Sequence, residues 1–237
     1  MSSNDSIKIV WVYPDLLSTY GDQGNCIVLE RRAALRGIRT RTVHVRSDET
    51  VPVDGDIYLL GGGEDRPQIL AARRLHGDGG LHRARDFGAV IFAVCAGYQL
   101  LGTEFGGEEG QPVQGLGLLD IRSSRGQQRA VGEIVGDVDQ ALNVPRITGF
   151  ENHQGVTHLG PGVKPLARVV HGIGNGDGHE GAYQGHVIGT YMHGPALVRN
   201  PGLADLLLRW AVKHDLPPIA ESWSERLREE RLRVVLG

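Results

Sequence analysis

The run Ile91-Phe92-Ala93-Val94-Cys95-Ala96-Gly97-Tyr98-Gln99-Leu100-Leu101 passes from an apolar, partly β-branched stretch into a helical pattern with no spacer between them. A strand that turns at once into a helix is a nucleophile elbow, with its turn residue presented at the carboxyl end of the sheet. The turn is tight, and Ala93, Ala96 and Gly97 supply the small side chains it needs. Cys95 occupies it. A thiol beside the N-terminus of a helix is favoured as thiolate, and the Ala96 amide is placed to face a developing oxyanion. A buried structural cysteine fits the same apolar run, so the turn alone leaves both readings open. The only other cysteine, Cys26, has no such setting and reads as structural.

Working outward, the first hundred residues alternate between short apolar runs and helical patterns. Ile7–Val12, Arg41–Val45, Ile57–Leu60 and Ala89–Val94 read as strands. Asn25–Arg36 reads as a helix that stops at Gly37, and Arg66–His76 as a second helix with Pro67 in its first turn. Strands and helices in alternation predict an α/β fold, a mostly parallel sheet with helices on both faces. The second half is strand-rich: Val131–Val135, Arg146–Phe150, Gly155–His158 and Gly185–Tyr191 predict an antiparallel or mixed extension of that sheet. Leu203–His214 reads as helix, ended by Pro217-Pro218. The stretch from about 220 to 237 reads as a C-terminal helix with Trp223, Leu227 and Val234 on one face, more simply a packed terminal helix than a docking element. No linker or repeat divides the chain, and residues 1–237 are expected to form one domain.

A second turn supports chemistry at Cys95. Asp56-Ile57-Tyr58-Leu59-Leu60 runs into Gly61-Gly62-Gly63-Glu64-Asp65-Arg66. Residues without side chains let backbone amides approach a ligand. No Gly-Lys-Ser/Thr follows, so this is not a P-loop. In a parallel sheet both turns lie at the carboxyl ends of strands, where ligands bind. For a base, ten histidines are available. His193, in Val187-Ile188-Gly189-Thr190-Tyr191-Met192-His193-Gly194-Pro195, closes a strand before a turn and is preferred. His153, in Gly149-Phe150-Glu151-Asn152-His153, is the other candidate.

Composition narrows the function classes. Of the 237 residues 22% are charged, with a net charge of −3 and no basic block, which argues against a nucleic-acid partner. No apolar stretch reaches the roughly 18 residues needed to span a membrane. The opening Met1–Asp5 lacks the order of a signal peptide, and two free cysteines fit the cytoplasm. No HExxH or paired CxxC spacing suggests a metal. Asn175-Gly176-Asp177-Gly178-His179-Glu180 departs from a calcium loop and reads as a hairpin tip.

Taken together, Tyr20–Asn25, Gly61–Arg66, Cys95–Gln99, Gly149–His153 and Gly189–Pro195 resemble the class I glutamine amidotransferases of flavodoxin-like, three-layer fold. The resemblance lies in the branch of the cobyric acid synthase glutaminases, and within it nearest the GatD-like glutaminase subunits. It implies that Cys95 attacks the glutamine carboxamide and His193 shuttles the proton. It further implies that the Gly63 and Ala96 amides stabilise the oxyanion, and that Gly62, Gln99 and Arg129 bind the substrate glutamine. It also implies no cofactor in this chain and an ATP- and Mg²⁺-using Mur-ligase-like partner, MurT, in a heterodimer that amidates lipid II. One departure stands out. Many class I members carry a glutamate two residues after the histidine, and here that position is Pro195. The orienting carboxylate is therefore expected from the partner, or to be ordered by it. Other readings of the same residues are a glutaminase for a corrinoid or pyridoxal phosphate synthetase, a redox or non-catalytic cysteine protein, and a cysteine peptidase.

Overall fold

The structure, a computed structural model, describes residues 6–107, 111–220 and 223–237. Met1–Asp5, read above for a leader, lie outside them. The first hundred residues form β1 (Ser6–Val12), α1 (Gln23–Ala34), β2 (Arg39–Val45), β3 (Ile57–Leu60), α2 (Asp65–Asp78), α3 (Gly80–Asp86), β4 (Val90–Val94) and α4 (Ala96–Leu101). Then come β5 (Glu104–Gly106), β6 (Pro112–Gln114), β7 (Ile121–Val138), β8 (Ile147–Leu159), β9 (Ala167–His171) and β10 (His179–Glu180). The chain closes with β11 (Ala182–Gln184), β12 (Val187–Thr190), α5 (Ala196–Arg199), α6 (Pro201–Val212) and α7 (Trp223–Leu236).

One sheet has the order β11-β12-β4-β3-β1-β2. Its pairs are parallel except β11 with β12. Every residue of β3, β4 and β12 is buried, as expected for central strands covered on both faces. The exposed edge is β2, where Arg39 and Arg41 alternate with Thr40 and Thr42, a polar edge that discourages pairing with another chain. α1 gives way to a turn in which Gly37 takes a φ of +73°, the left-handed conformation that makes glycine a helix stop. A bidentate pair from Arg32 to Asp205, at 2.6 and 2.8 Å, ties α1 to α6.

The second half departs from the expected extension. Only β11 extends the first sheet in antiparallel fashion. The other strands build a sheet of their own, β10-β9-β7-β5-β6, with β8 paired to β7. The stretches Arg146–Phe150 and Gly155–His158, expected as separate strands, are one strand, β8. Glu151, Asn152 and His153 are paired in the same ladder, opposite Gly132, Val131 and Ala130, and the register shifts only at Gln154, between the pairs Ala130–His153 and Arg125–Gly155. Their polarity reads as a turn in the sequence, yet Glu151 and His153 point inward and are buried.

The C-terminal helix is present but not packed in the ordinary way. No residue of α7 is buried, and Trp223, Leu227 and Val234 are 65–71% exposed. Polar contacts hold it: Arg228 donates to the Arg146 carbonyl and Arg231 lies 3.7 Å from Glu133. The reading of a packed terminal helix is therefore corrected.

Candidate active site

The elbow takes the form the sequence predicts. β4 ends at Val94, and Cys95 adopts φ +53°, ψ −108° before α4 begins. A side chain in that region costs on the order of 1–3 kcal/mol and persists only where its surroundings enforce it. The enforcement is visible. The Cys95 N–H donates to the Thr190 carbonyl at 2.8 Å, and the Cys95 carbonyl accepts from Gln99 N–H at 3.0 Å. The Gly97 N–H donates to the Gly61 carbonyl at 3.2 Å. A Cβ on Gly97 would sit 2.9 Å from both that oxygen and Leu60 Cβ. Only glycine lets the elbow and the glycine turn approach this closely.

Cys95 opens into a pocket that also holds Gly63, Ala96, Gln99 and Arg129, with Tyr20 and Gln68 on its walls. The Gln99 carboxamide is held at both ends. Its oxygen accepts from Gln68 Nε2 at 3.0 Å, and its nitrogen donates to the Tyr191 hydroxyl at 3.1 Å. That hydroxyl continues a buried chain to Thr157 at 2.7 Å and from Thr157 to Ser123 at 2.8 Å. Gln99 thus lines the pocket as a clamped group. Arg129 is exposed, its Nε donating to Asn152 Oδ1 at 2.8 Å. Gly62 does not sit with the others. Its N–H is donated to Asp22 Oδ2 at 2.6 Å, and a Cβ there would lie 2.8 Å from His193 Cε1. Its amide is taken, so the expectation that Gly62 helps to surround the substrate is corrected. Gly63 and Ala96 remain as the amides at the pocket.

His193 is 3% exposed, and its backbone exchanges two hydrogen bonds with Phe150, at 2.8 and 3.1 Å. Its ring rests against Tyr20, centroids 4.8 Å apart. Burial disfavours the charged ring, but the side chains of Asp22 and Cys95 outweigh it and push the imidazole up to about 9. The buried ring is therefore biased toward its imidazolium form beside Cys95. Asp22 Oδ1 lies 3.9 Å from His193 Nδ1, and Asp22 is 4% exposed. Asp22, on the residue that precedes α1, is the carboxylate of this chain that faces the His193 ring.

His153 has other attachments. Its Nδ1 lies 3.0 Å from the Gly155 carbonyl, its Nε2 3.5 Å from Glu151 Oε2, and its ring stacks on Tyr191 at 3.7 Å. It lines the pocket but belongs to the floor. Burial pushes the Cys26 thiol up to about 12, so it is no nucleophile.

Several supporting residues escaped the sequence reading. Asp22 sits inside the quoted Tyr20–Asn25 motif, and a buried carboxylate next to two glycines was the available signal. Glu180 and Asn175, read as part of a hairpin tip, are fully buried. Glu180 accepts from the Thr190 hydroxyl and from Tyr191 N–H, bracing the segment that carries His193. Burial raises its carboxyl above the usual range. Asn175 accepts from the Tyr98 hydroxyl at 3.3 Å and donates to the Gly181 carbonyl at 2.9 Å.

Comparison with known proteins gives the family and the fold. The subunit GatD of lipid II isoglutaminyl synthase (glutamine-hydrolyzing) from Staphylococcus aureus (strain N315) is 37% identical over 226 residues, 94% of this chain and 91% of that protein. The subunit of the same name from Streptococcus pneumoniae (strain ATCC BAA-255 / R6) is 34% identical, covering 94% of this chain and 90% of its own length. A cobyric acid synthase from Sphingopyxis alaskensis is 36% identical over 68% of this chain but only 32% of that protein. Among solved structures, a glutamine amidotransferase superposes with a TM-score of 0.59 at 24% identity, over 86% of this chain and 98% of the other. The glutaminase domain of Trypanosoma brucei CTPS gives 0.53 at 13% identity, over 92% of this chain and 98% of that one. These two establish the shared fold. Residues 8–201 match the model of the CobB/CobQ-like glutamine amidotransferase domain, and the chain belongs to that family.

Proposed function

We propose that this chain hydrolyses glutamine to glutamate and ammonia through a Cys95 thioester, and delivers the ammonia to an ATP-dependent partner. The observation that carries the reading is the strained Cys95 lining a pocket, with the buried His193 imidazole beside it. Cys95 Sγ attacks the side-chain carboxamide carbon of glutamine. The Gly63 and Ala96 amides receive the oxyanion. The imidazolium gives its proton to the departing nitrogen, which leaves as ammonia, and a γ-glutamyl thioester remains. Water, deprotonated by the now neutral His193, releases glutamate and the thiolate. Arg129 and the clamped Gln99 hold the substrate.

The whole-length likeness to GatD subunits, against the one-third coverage of a cobyric acid synthase, favours a glutaminase that works as a separate subunit. The acceptor is then lipid II. A MurT-type, Mur-ligase-like subunit, using ATP and Mg²⁺, activates the D-glutamate α-carboxyl, and ammonia converts it to D-isoglutamine. The heterodimer works in the cytoplasm, at the inner face of the membrane. Among the described residues no helix is long and apolar enough to cross one.

The test is amidation of lipid II by this chain co-expressed with a Mur-ligase-like partner, wild type against Cys95→Ala. Wild type is expected to use glutamine, and the variant only added ammonia. If both complexes use ammonia and neither uses glutamine, the role of Cys95 is refuted while the partner stands.

A further inference from the structure

We infer that the exposed face of α7 is the seat of an acidic amphipathic helix belonging to the ammonia-accepting subunit. The inference rests on the reading above that such a partner exists. Trp223, Leu227, Glu230 and Val234 follow one another at steps of four, three and four residues, the heptad spacing that lines side chains along one seam. All four are exposed, whereas Ser224, Arg228, Leu232 and Val235, on the neighbouring face, are half-buried. The helix thus rests on the body by one stripe and leaves a second, largely apolar stripe open.

The charges beside the seam select the occupant. Arg226, Arg231 and Arg233 hold flanking positions. In a pair of identical helices, parallel or antiparallel, arginine would face arginine, and like charges across a seam repel. A helix with Asp or Glu at those positions is attracted instead. Glu230 sits inside the seam, where one polar residue fixes the register of a pair at some cost in stability. The same glutamate, with Glu225 and Glu229, sets α7 apart from a helix lying on an anionic membrane, whose polar face is rich in Lys and Arg. Position on the molecule points to the subunit that takes the ammonia. Arg231 lies 3.7 Å from Glu133, and Glu133 also accepts from Arg199 of α5, just beyond His193. Glu133 is paired across the ladder with Phe150, which exchanges backbone hydrogen bonds with His193. Val131 and Asn152 are paired on the same outer face, and Asn152 lines the catalytic pocket. Val131 and Phe150 are exposed, so apolar surface runs from α7 toward the pocket rim. A subunit seated on α7 therefore reaches the mouth from which ammonia leaves.

Leu227→Glu, and Arg226→Gln combined with Arg233→Gln, test the seam in the full-length chain. All three positions are exposed, where substitution disturbs folding little. A full-length Mur-ligase-like subunit is titrated calorimetrically with each form. Leu227→Glu should weaken binding about tenfold or more. The double variant should also bind less tightly, with a flatter dependence on salt. Wild-type affinity in both overturns the inference. Hydrogen exchange on the unaltered protein covers a variant that does not fold. Amides of Trp223–Leu236 should exchange more slowly in the complex than in the free chain, and equal exchange refutes the seat. Two other occupants are read directly. A wild-type dimer in analytical ultracentrifugation that Leu227→Glu dissolves gives the face to a second copy. Flotation with phosphatidylglycerol vesicles that Leu227→Glu abolishes, with affinity for the subunit unchanged, gives it to a membrane. Either result overturns the proposal. If wild type binds no such subunit, the partner reading itself fails and the seat with it. If it binds and the variants bind equally, only the role of α7 falls.

Discussion

Gly62→Ala tests whether the glycine turn is a seat for the base. A methyl at this position would lie 2.8 Å from His193 Cε1, 3.3 Å from Tyr20 Cδ2 and 3.5 Å from Asp22 Oδ2. The first distance is about 0.7 Å inside the optimal separation of two carbon atoms. Gly62 is not among the glycines with positive φ, so the alanine backbone itself is unstrained. The cost is the contact alone. His193 cannot retreat as a whole, because its backbone is bound to Phe150 on both sides. The ring must tilt, or the turn must move away from Asp22. Overpacking of this kind destabilises by about 1–3 kcal/mol, and displacing a catalytic group by about 1 Å lowers the rate about 100-fold. We expect kcat for glutamine to drop about ten- to a hundredfold, with a modest loss in urea midpoint. Gly77→Ala is the control: it lies in α2 with nothing within 4 Å of its added Cβ. It should keep full activity and gain about 1 kcal/mol of stability. A Gly62→Ala enzyme with kcat and midpoint of wild type would refute the claim that this glycine makes room for His193.

Three further expectations follow from the same geometry. Arg129→Ala should raise KM for glutamine at least tenfold, about the weight of a charge-assisted hydrogen bond, while kcat changes little, because Arg129 is exposed on the pocket rim and remote from proton transfer; a fall in kcat with KM unchanged in steady-state assays would contradict it. Glu180→Gln should be tolerated within about 1 kcal/mol, since burial already favours the neutral carboxyl and an amide oxygen can still accept from Thr190 and Tyr191; Glu180→Ala should lower both melting temperature and kcat, and equal behaviour of the two variants would count against the bracing role. Asp22 and Cys95 outweigh burial and push the His193 imidazole from the ordinary 6.5 up to about 9. Its raised value means that its stabilisation is complete below about pH 6.5 and fades as pH rises through 9, by on the order of 3 kcal/mol at most; denaturant midpoints that do not decline between pH 7 and 10, relative to a His193→Gln variant, would exclude it.

The parts of the site legible in the sequence are those tied to local backbone geometry. A strand that meets a helix at a small-residue turn has few alternatives, and that constraint makes Cys95 a candidate, with the glycine turn and the family motifs needed to prefer it over a structural cysteine. The three glycines after β3 were legible for the same reason, because a run of residues without side chains is informative about close approach. The division of the second half into its own sheet was not. β8 looked interrupted because Glu151 and His153 break its apolar alternation, and local pattern cannot distinguish a polar turn from a buried polar ladder. What resolves the case is distant in sequence: Glu151 accepts from the amides of Ile173 and Gly174 at 2.8 and 2.9 Å, which lets a charged residue sit inside.

The same limit explains Asp22 and Glu180. Each is a carboxylate among glycines, which in sequence reads as a turn. Each is also buried and braces the segment or the ring of the base from more than ten residues away. The missing glutamate after His193 left a chemical vacancy, and local reading could fill it only from outside the chain. In the fold Asp22 comes within 3.9 Å of the His193 ring. α1 packs against α5 through Gly24, whose missing side chain leaves space for Pro195, and through Asn25, which accepts the Leu197 N–H at 2.9 Å. Those two contacts carry the start of α1 over to the residues that follow His193, and Asp22 arrives with it. Pro195 is thus part of the contact that brings Asp22 beside the His193 ring. This makes the Tyr20–Asn25 and Gly189–Pro195 motifs one structural unit, and a change at the Gly24–Pro195 contact should disturb the base as surely as a change beside it.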